Sequence, residues 1–316
     1  MATNEVIRAC SSRSEDVWFE DGTVVLQVEN TLFRVYSGLL SRHSPFFKHL
    51  FTLPQPPDAE CCDGCPLIKL VADDAEDVRD FLLAIHEIGI PNAIAGNAVR
   101  LSAVLQLSSK YEVAELHLKA VEILTPICPV TLSTYYALDA KLRAGESLSV
   151  ECLLNTLPAL IAVANAASTA APHLLPFVLL QLIRTSDGDN DVIFGGVIHN
   201  NKCIMLKPHL QTSLMNGRST LTRLARDIVY PSVFGHSCPE EGFFCDSLRI
   251  QVLSELYRWD GFLDPLRRQA NIFAHFCGSC KNRIKADMFS GRAAVWSELP
   301  KAFGLSSWQE LTPLDE

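Results

Sequence analysis

Two cysteine clusters are the first residues in this sequence with the spacing for chemistry. "CCDGC" carries Cys61, Cys62 and Cys65, and "CGSC" carries Cys277 and Cys280. Each contains a CxxC pair, the arrangement that presents two thiolates to one metal ion. A structural zinc site takes four such ligands in a tetrahedron, and two CxxC pairs make one when about 15–20 residues separate them. Here the pairs lie towards opposite ends of the chain, so they are not presumed neighbours. The expectation is that Cys277 and Cys280 are packed thiols on one helix face and that Cys61–Cys65 is an exposed loop. A redox CxxC would want a strand leading into its helix, and none is evident. No stoichiometric zinc is expected, and neither a metal ligand nor a cofactor is assigned.

The remaining candidates are weaker. His43, His49 and His86 fall on expected helices, and nothing pairs them at catalytic or metal spacing. His86-Glu87 lacks the second histidine of a zincin helix. The sequence has no G-x-S-x-G, no G-x-x-x-x-G-K-[ST] and no G-x-G-x-x-G. Gly195-Gly196 is too little to cradle a phosphate. Asp187, Asp189 and Asp191 alternate like a calcium loop, but Ile198 stands where the bidentate Glu belongs. Catalytic residues are therefore none. Two functional classes stay open: an interaction module, and an enzyme with a dispersed site in the second half.

The elements that would position these residues can be read from periodicity. "DVWFEDG" puts Val17 and Phe19 on one strand face, with Asp21-Gly22 as a hairpin turn. "TVVLQVEN" is a second strand, and Glu29-Asn30 the next turn. Val35, Leu39, Leu40 and Pro45-Phe46-Phe47 have helical spacing. "FKHLFTLPQPP" closes on prolines that stop a helix. "PDAECCDGCP" is loop by composition, and "LIKLVAD" is strand. "DDAEDVRDFLLAIHEIG" opens acidic and turns apolar, as a helix does. "NAVRLSAVLQLSSKYEV" and "AELHLKAVEILTPICP" are two more helices. From about Thr131 the strand signal fades. Gly188–Asn201 reads as loop with a short ordered insert, and "RRQANIFAHFCGSCKNRIKADMF" as one amphipathic helix with Ile272, Phe276, Cys280 and Ile284 near one side.

Composition bounds the function. The 316 residues suit two domains. Apolar residues are 48%, enough for a sizeable core. A net charge of −9 argues against nucleic acid as a partner, and the basic "KNRIKADMFSGR" reads as a wet helix face. Cys152 to Gln181 holds no Asp, Glu, Lys or Arg, but Asn155, Pro158, Asn165, Pro172, His173 and Pro176 interrupt it. It reads as buried helices separated by turns, so no membrane association is expected. "MATNEVIRACSSRSEDV" has no apolar signal core, and eleven cysteines cannot all pair. Both point to an intracellular place, cytoplasmic or nuclear.

The order of elements resembles the BTB/POZ domain over Ser14 to Cys128. The resemblance is carried by Asp16-Val17, Asp21-Gly22, Leu40 with Ser44-Pro45-Phe46-Phe47, the strand Leu67–Val71, the helix Val78–Glu87 and "VLQLSSKYEV". The rest, with "CIMLKPHLQTSL", the CxxC helix and "VWSELPKAFGL", is similar to BTB proteins of mushroom-forming fungi. This implies an α+β fold, with a short sheet capped by helices over residues 14–128 and a mainly α-helical C-terminal region over 129–316. It implies a protein-binding module, with signature and interaction residues at Asp16, Val17, Asp21, Gly22, Tyr36, Leu40, Ser44, Phe47, Leu50 and Phe51. Tyr36 stands where many members have His, and Ser37 where many have the basic partner of Asp16. Only about 15 residues precede Asp16, too few for the swapped strand and helix of dimeric members. A monomer or weak homodimer is the expectation. Many relatives are adaptors of cullin-type ubiquitin ligases and carry a hydrophobic-x-Glu motif. "KHLFTLPQPPDAE" lacks it, so cullin binding is expected to be weak or absent.

Overall fold

A computed structural model describes residues 11–54, 60–143, 154, 156–186, 190–240, 245–256, 264–266 and 273–312. The chain divides into two compact units, one drawn from Met1–Ile127 and Ser147–Ala171, the other from Cys128–Glu146 and Pro172–Glu316.

The first unit is built on β1 (Ser12–Trp18), β2 (Val24–Val28), β3 (Thr31–Val35), β4 (Cys61–Cys62) and β5 (Cys65–Lys69), in the order β1-β3-β2-β5-β4. β2 is central, antiparallel to β3 and parallel to β5. Its alternation sorts residues between two faces. Val24, Leu26 and Val28 join the main core, and Val25 joins a small cluster with Leu32 and Cys65 on the other side. Glu29, at φ 50, makes the β2–β3 hairpin. Asp21-Gly22 is not a hairpin turn: β1 pairs in parallel with β3, so the chain passes over at 21–22 and enters the sheet two places away. Val35 belongs to β3, where it pairs with Val24, and not to the helix its spacing suggested.

Helices cover the main face: α1 (Ser37–His43), α2 (Pro45–Thr52), α3 (Ala75–His86), the short α4 (Asn92–Ala95), α5 (Ala98–Lys110) and α6 (Ala114–Leu124), and, after the chain returns, α8 (Leu157–Ala170) packs on α5. Their starts are local. Ser44 accepts the Phe47 N–H at 3.0 Å and Pro45 supplies a pre-set first turn. Asp74 accepts from Glu76 and Asp77. Asn97 accepts from Val99 and Arg100. Val78, Phe81, Leu82 and Ile85 of α3 fill the core beneath the sheet with Phe33, Leu40 and Phe47. α8 explains the charge-free stretch. Its Ala159–Ala164 run, with Ala166 and Ala167, is buried, and it packs along α5. Among the described residues no helix is long and apolar enough to cross a membrane.

The second unit holds α7 (Leu132–Arg143), α9 (Leu175–Thr185), α10 (Asn190–Gly195), α11 (Pro208–Leu224), α12 (Pro231–Phe234), α13 (Cys245–Leu256), α14 (Gly278–Ala302) and α15 (Trp308–Leu311). Among the described residues it is mainly helical, and β6 (Val197–His199) and β7 (Lys202–Ile204) form a hairpin that begins within the stretch read as loop with a short ordered insert. Asn200 and Asn201, both at positive φ, make its turn. α11 runs into a π turn over Ala225–Val229, which packs on α14. Gly217 and Gly291 allow these approaches. A Cβ at Gly217 would lie 2.2 Å from the Phe303 ring, and one at Gly291 would lie 2.9 Å from the Ile228 carbonyl. α14 starts at Gly278, not before, so Cys277 is its cap and not a mid-helix residue. Asp187, Asp189 and Ile272 lie outside the described residues.

Candidate interaction surface

The residues singled out in the front unit separate into core and surface. Val17, Leu40, Ser44 and Phe47 have no exposed area. Ser44 does two jobs, capping α2 and donating its hydroxyl to the Tyr111 carbonyl at 2.6 Å. Phe47 stacks on Tyr111, ring centres 4.9 Å apart, and on Phe51 at 5.8 Å. Leu50 and Phe51 are half-buried against the same core. Gly22 is buried because its backbone is used. Its carbonyl accepts from Arg34 Nε at 3.0 Å and from the Cys65 thiol, and a Cβ would meet Arg34 Cγ at 2.9 Å.

Two surface groups remain. In the first, Tyr36 Oη donates to Asp21 at 2.6 Å, which raises the phenol's pKa. Phe19 lies 5.2 Å from the Tyr36 ring and stacks on His86 at 4.7 Å. His86 binds the Leu82 carbonyl through Nδ1, and burial lowers its pKa. So the site where Tyr36 replaces histidine still has an imidazole beside it, supplied by α3. In the second group, Asp16 is exposed and lies 3.8 Å from Arg79. Arg79 also reaches Asp80, whose buried carboxylate takes both Nε and Nη2 of Arg100, at 2.7 and 2.6 Å. Ser37 does not face Asp16. It bonds Thr23 through its N–H and hydroxyl. Arg79 of α3 is thus the cation nearest Asp16 here, and residue 37 supplies none.

Apolar side chains open to solvent flank α2 and α3. Phe46 is 39% exposed, Leu53 45% and Ile88 63%. Ile88 lines a small depression together with Ala84, Ile85, Val113 and Leu116, with His43, Glu115 and Lys119 beside them. Glu115 bonds Lys119 at 2.7 Å and sits 3.9 Å from His43. Lys119 holds Glu115 below the usual carboxylate range. An apolar floor with fixed charges nearby suits recognition of a partner side chain. His49 is exposed on α2 and does not join the depression.

The cysteines regroup. Cys61–Cys62 and Cys65 are not a loop but the two strands of a hairpin, with Asp63 and Gly64 at positive φ in its turn. Cys277 and Cys280 meet two residues that sequence spacing did not single out, Cys238 and Cys245. The Cys280 N–H, pointing at Cys277 Sγ, holds that thiol below its ordinary pKa, and burial pushes Cys280 up to about 12.

A family model for the BTB/POZ domain matches residues 18–126. No curated protein and no solved structure matches the chain.

Proposed function

Residues 18–126 of this chain are a BTB/POZ domain, a module for protein–protein interaction, and from that premise we propose a non-enzymatic binding protein that takes its partner on the α2–α3 surface. The observations that carry this reading are the open apolar side chains of this domain, Phe46 and Leu53 at α2 and Ile88 after α3, and the small depression with fixed charges that Ile88 lines. Core-buried anchors within a polar rim are what protein interfaces use. A weak homodimer through the same domain and a place inside the cell are part of the proposal. The C-terminal helical region is assigned no ligand by it. The test is proximity labelling in cells with the wild type and with Phe46→Ser/Leu53→Ser. Both side chains are exposed, so the fold is expected to survive and the labelled set to shrink. An unchanged set would refute the assignment of the surface.

Cullin binding is proposed to be weak or absent. α2 ends at Thr52. The nearest described glutamate after it, Glu60, pairs with Lys69 at 2.7 Å, and its carbonyl accepts the Leu67 N–H, which ties it to the sheet edge. The sequence after α2 lacks the hydrophobic-x-Glu motif whose carboxylate would orient the partner, a loss of about 1.5–3 kcal/mol, or roughly ten- to a hundredfold in affinity. Calorimetric titration of the full chain against a cullin N-terminal domain is expected to show no nanomolar binding. A nanomolar dissociation constant that Leu53→Asp abolishes would make the protein an adaptor. Phe51→Ala is a poorer probe, because half of that ring packs in the core.

A further inference from the structure

Cys238, Cys245, Cys277 and Cys280 place their four Sγ atoms within 4.8 Å of one another. They come from three places in the second unit. Cys238 follows α12, Cys245 opens α13, and Cys277 and Cys280 form the cap and first turn of α14. We propose that these four residues bind one zinc ion as thiolates, in a closed structural site. Zn–S bonds of about 2.3 Å arranged tetrahedrally put the sulfurs about 3.8 Å apart. Cys238 and Cys277 are already 3.6 Å apart. Each sulfur has three sulfur neighbours at comparable range, which suits a central ion and not two separate S–S bonds of about 2.0 Å.

Three features beside the sulfurs themselves favour an anionic cluster over four neutral thiols. The Cys280 N–H points at Cys277 Sγ at 3.4 Å, and the Cys277 N–H at Cys245 Sγ at 3.3 Å. The cap position places Cys277 at the positive end of a 25-residue helix, where a thiolate is stabilised. Arg249 is 6% exposed and donates Nη2 to Cys280 Sγ at 3.5 Å. Its Nε has no hydrogen-bond partner among the described residues and lies 3.5 Å from the exposed Asp246 carboxylate. A buried guanidinium beside neutral sulfur would be poorly compensated. A tetrathiolate zinc carries a net charge of about −2 and supplies that compensation. Thiolates also select zinc over magnesium or calcium. With protein ligands filling every tetrahedral position, none is left for a substrate or an activated water, so the role is structural.

The full chain, purified without chelator, is expected to carry about one zinc ion per chain by mass spectrometry of the metal. Cobalt in its place should give thiolate-to-metal charge-transfer bands. Cys277→Ser/Cys280→Ser should lose the metal, and Cys61→Ser/Cys62→Ser should keep it. If the first variant fails to fold, alkylation of the wild type decides. Cys238, Cys245, Cys277 and Cys280 should react only after zinc is stripped, and Cys61 before. A zinc-free protein whose four thiols are free, or are found as disulfides, would overturn the proposal. So would zinc that persists in Cys277→Ser/Cys280→Ser.

Discussion

Burial lowers the pKa of both His86 and His117, and that fixes a sign for pH. In each case the unfolded chain takes up a proton at the ordinary histidine value, about 6.5, before the folded chain does. Below that value the unfolded state binds more protons, so stability falls as the pH drops, and the loss levels off below the folded pKa. Urea unfolding at pH 7.5 and 5.5 is expected to show a lower midpoint at 5.5, with a smaller difference in His86→Phe, whose ring can keep the stack on Phe19. A midpoint independent of pH would contradict this. A second residue-scale prediction concerns Asp80, nearly buried and held by Arg100. Arg100→Met leaves that carboxylate with Arg79 alone and is expected to cost about 2–3 kcal/mol, read from the denaturant midpoint. Asp80 shows the limit of reading sites from sequence. Within "VRDFLL" it looks like the wet side of an amphipathic helix, and its partner lies 20 residues away on another helix. Ser44 and Phe47 were singled out by the family resemblance as signature and surface residues, whereas the chain uses them as a helix cap and a core ring. The thiol group was not legible in the sequence. Cys238 and Cys245 have ordinary spacing, and only the packing of three chain segments makes them neighbours of the CxxC.

At the level of elements, Gly291 sets two opposing effects against each other. Gly→Ala inside a helix favours folding by about 1 kcal/mol on propensity alone. Here the new methyl would sit 2.9 Å from the Ile228 carbonyl and 3.0 Å from Val229 Cα, both backbone and unable to rotate aside. Overpacking of this kind costs about 1–3 kcal/mol, so Gly291→Ala is expected to lower the melting temperature. A rise would mean that α14 and the π turn separate easily. The same competition between local and tertiary signals decides which elements follow their local sequence. Helices of the front unit begin at caps that the sequence announces, Asp74 and Asn97 among them. Turn chemistry misled at one Asp-Gly pair and was not used at another. Asp63-Gly64 makes a true hairpin between strands too short to show alternation. Asp21-Gly22 connects strands that are not sheet neighbours, and Gly22 is there for close approach to Arg34 and Val35.

At the level of the molecule, α8 decides where the first unit can be cut. It packs along α5, whose Leu101 and Leu105 are fully buried yet stand apart from the core around the sheet. A fragment of residues 11–128 would leave that side of α5 uncovered, and one of 11–171 would not. The shorter fragment is expected to bind a hydrophobic dye and to self-associate, with a lower melting temperature than the longer one. Equal behaviour would show that α8 is dispensable. The same feature sets a timetable during synthesis. Ile127 completes the part of the unit that precedes the excursion, and the unit resumes only when the chain returns to it. At about 5–20 residues per second, the ribosome needs roughly 2–9 s to go from Ile127 to Ala171. For that interval the nascent first unit carries an uncovered apolar flank, and it is there that a ribosome-associated chaperone would find it.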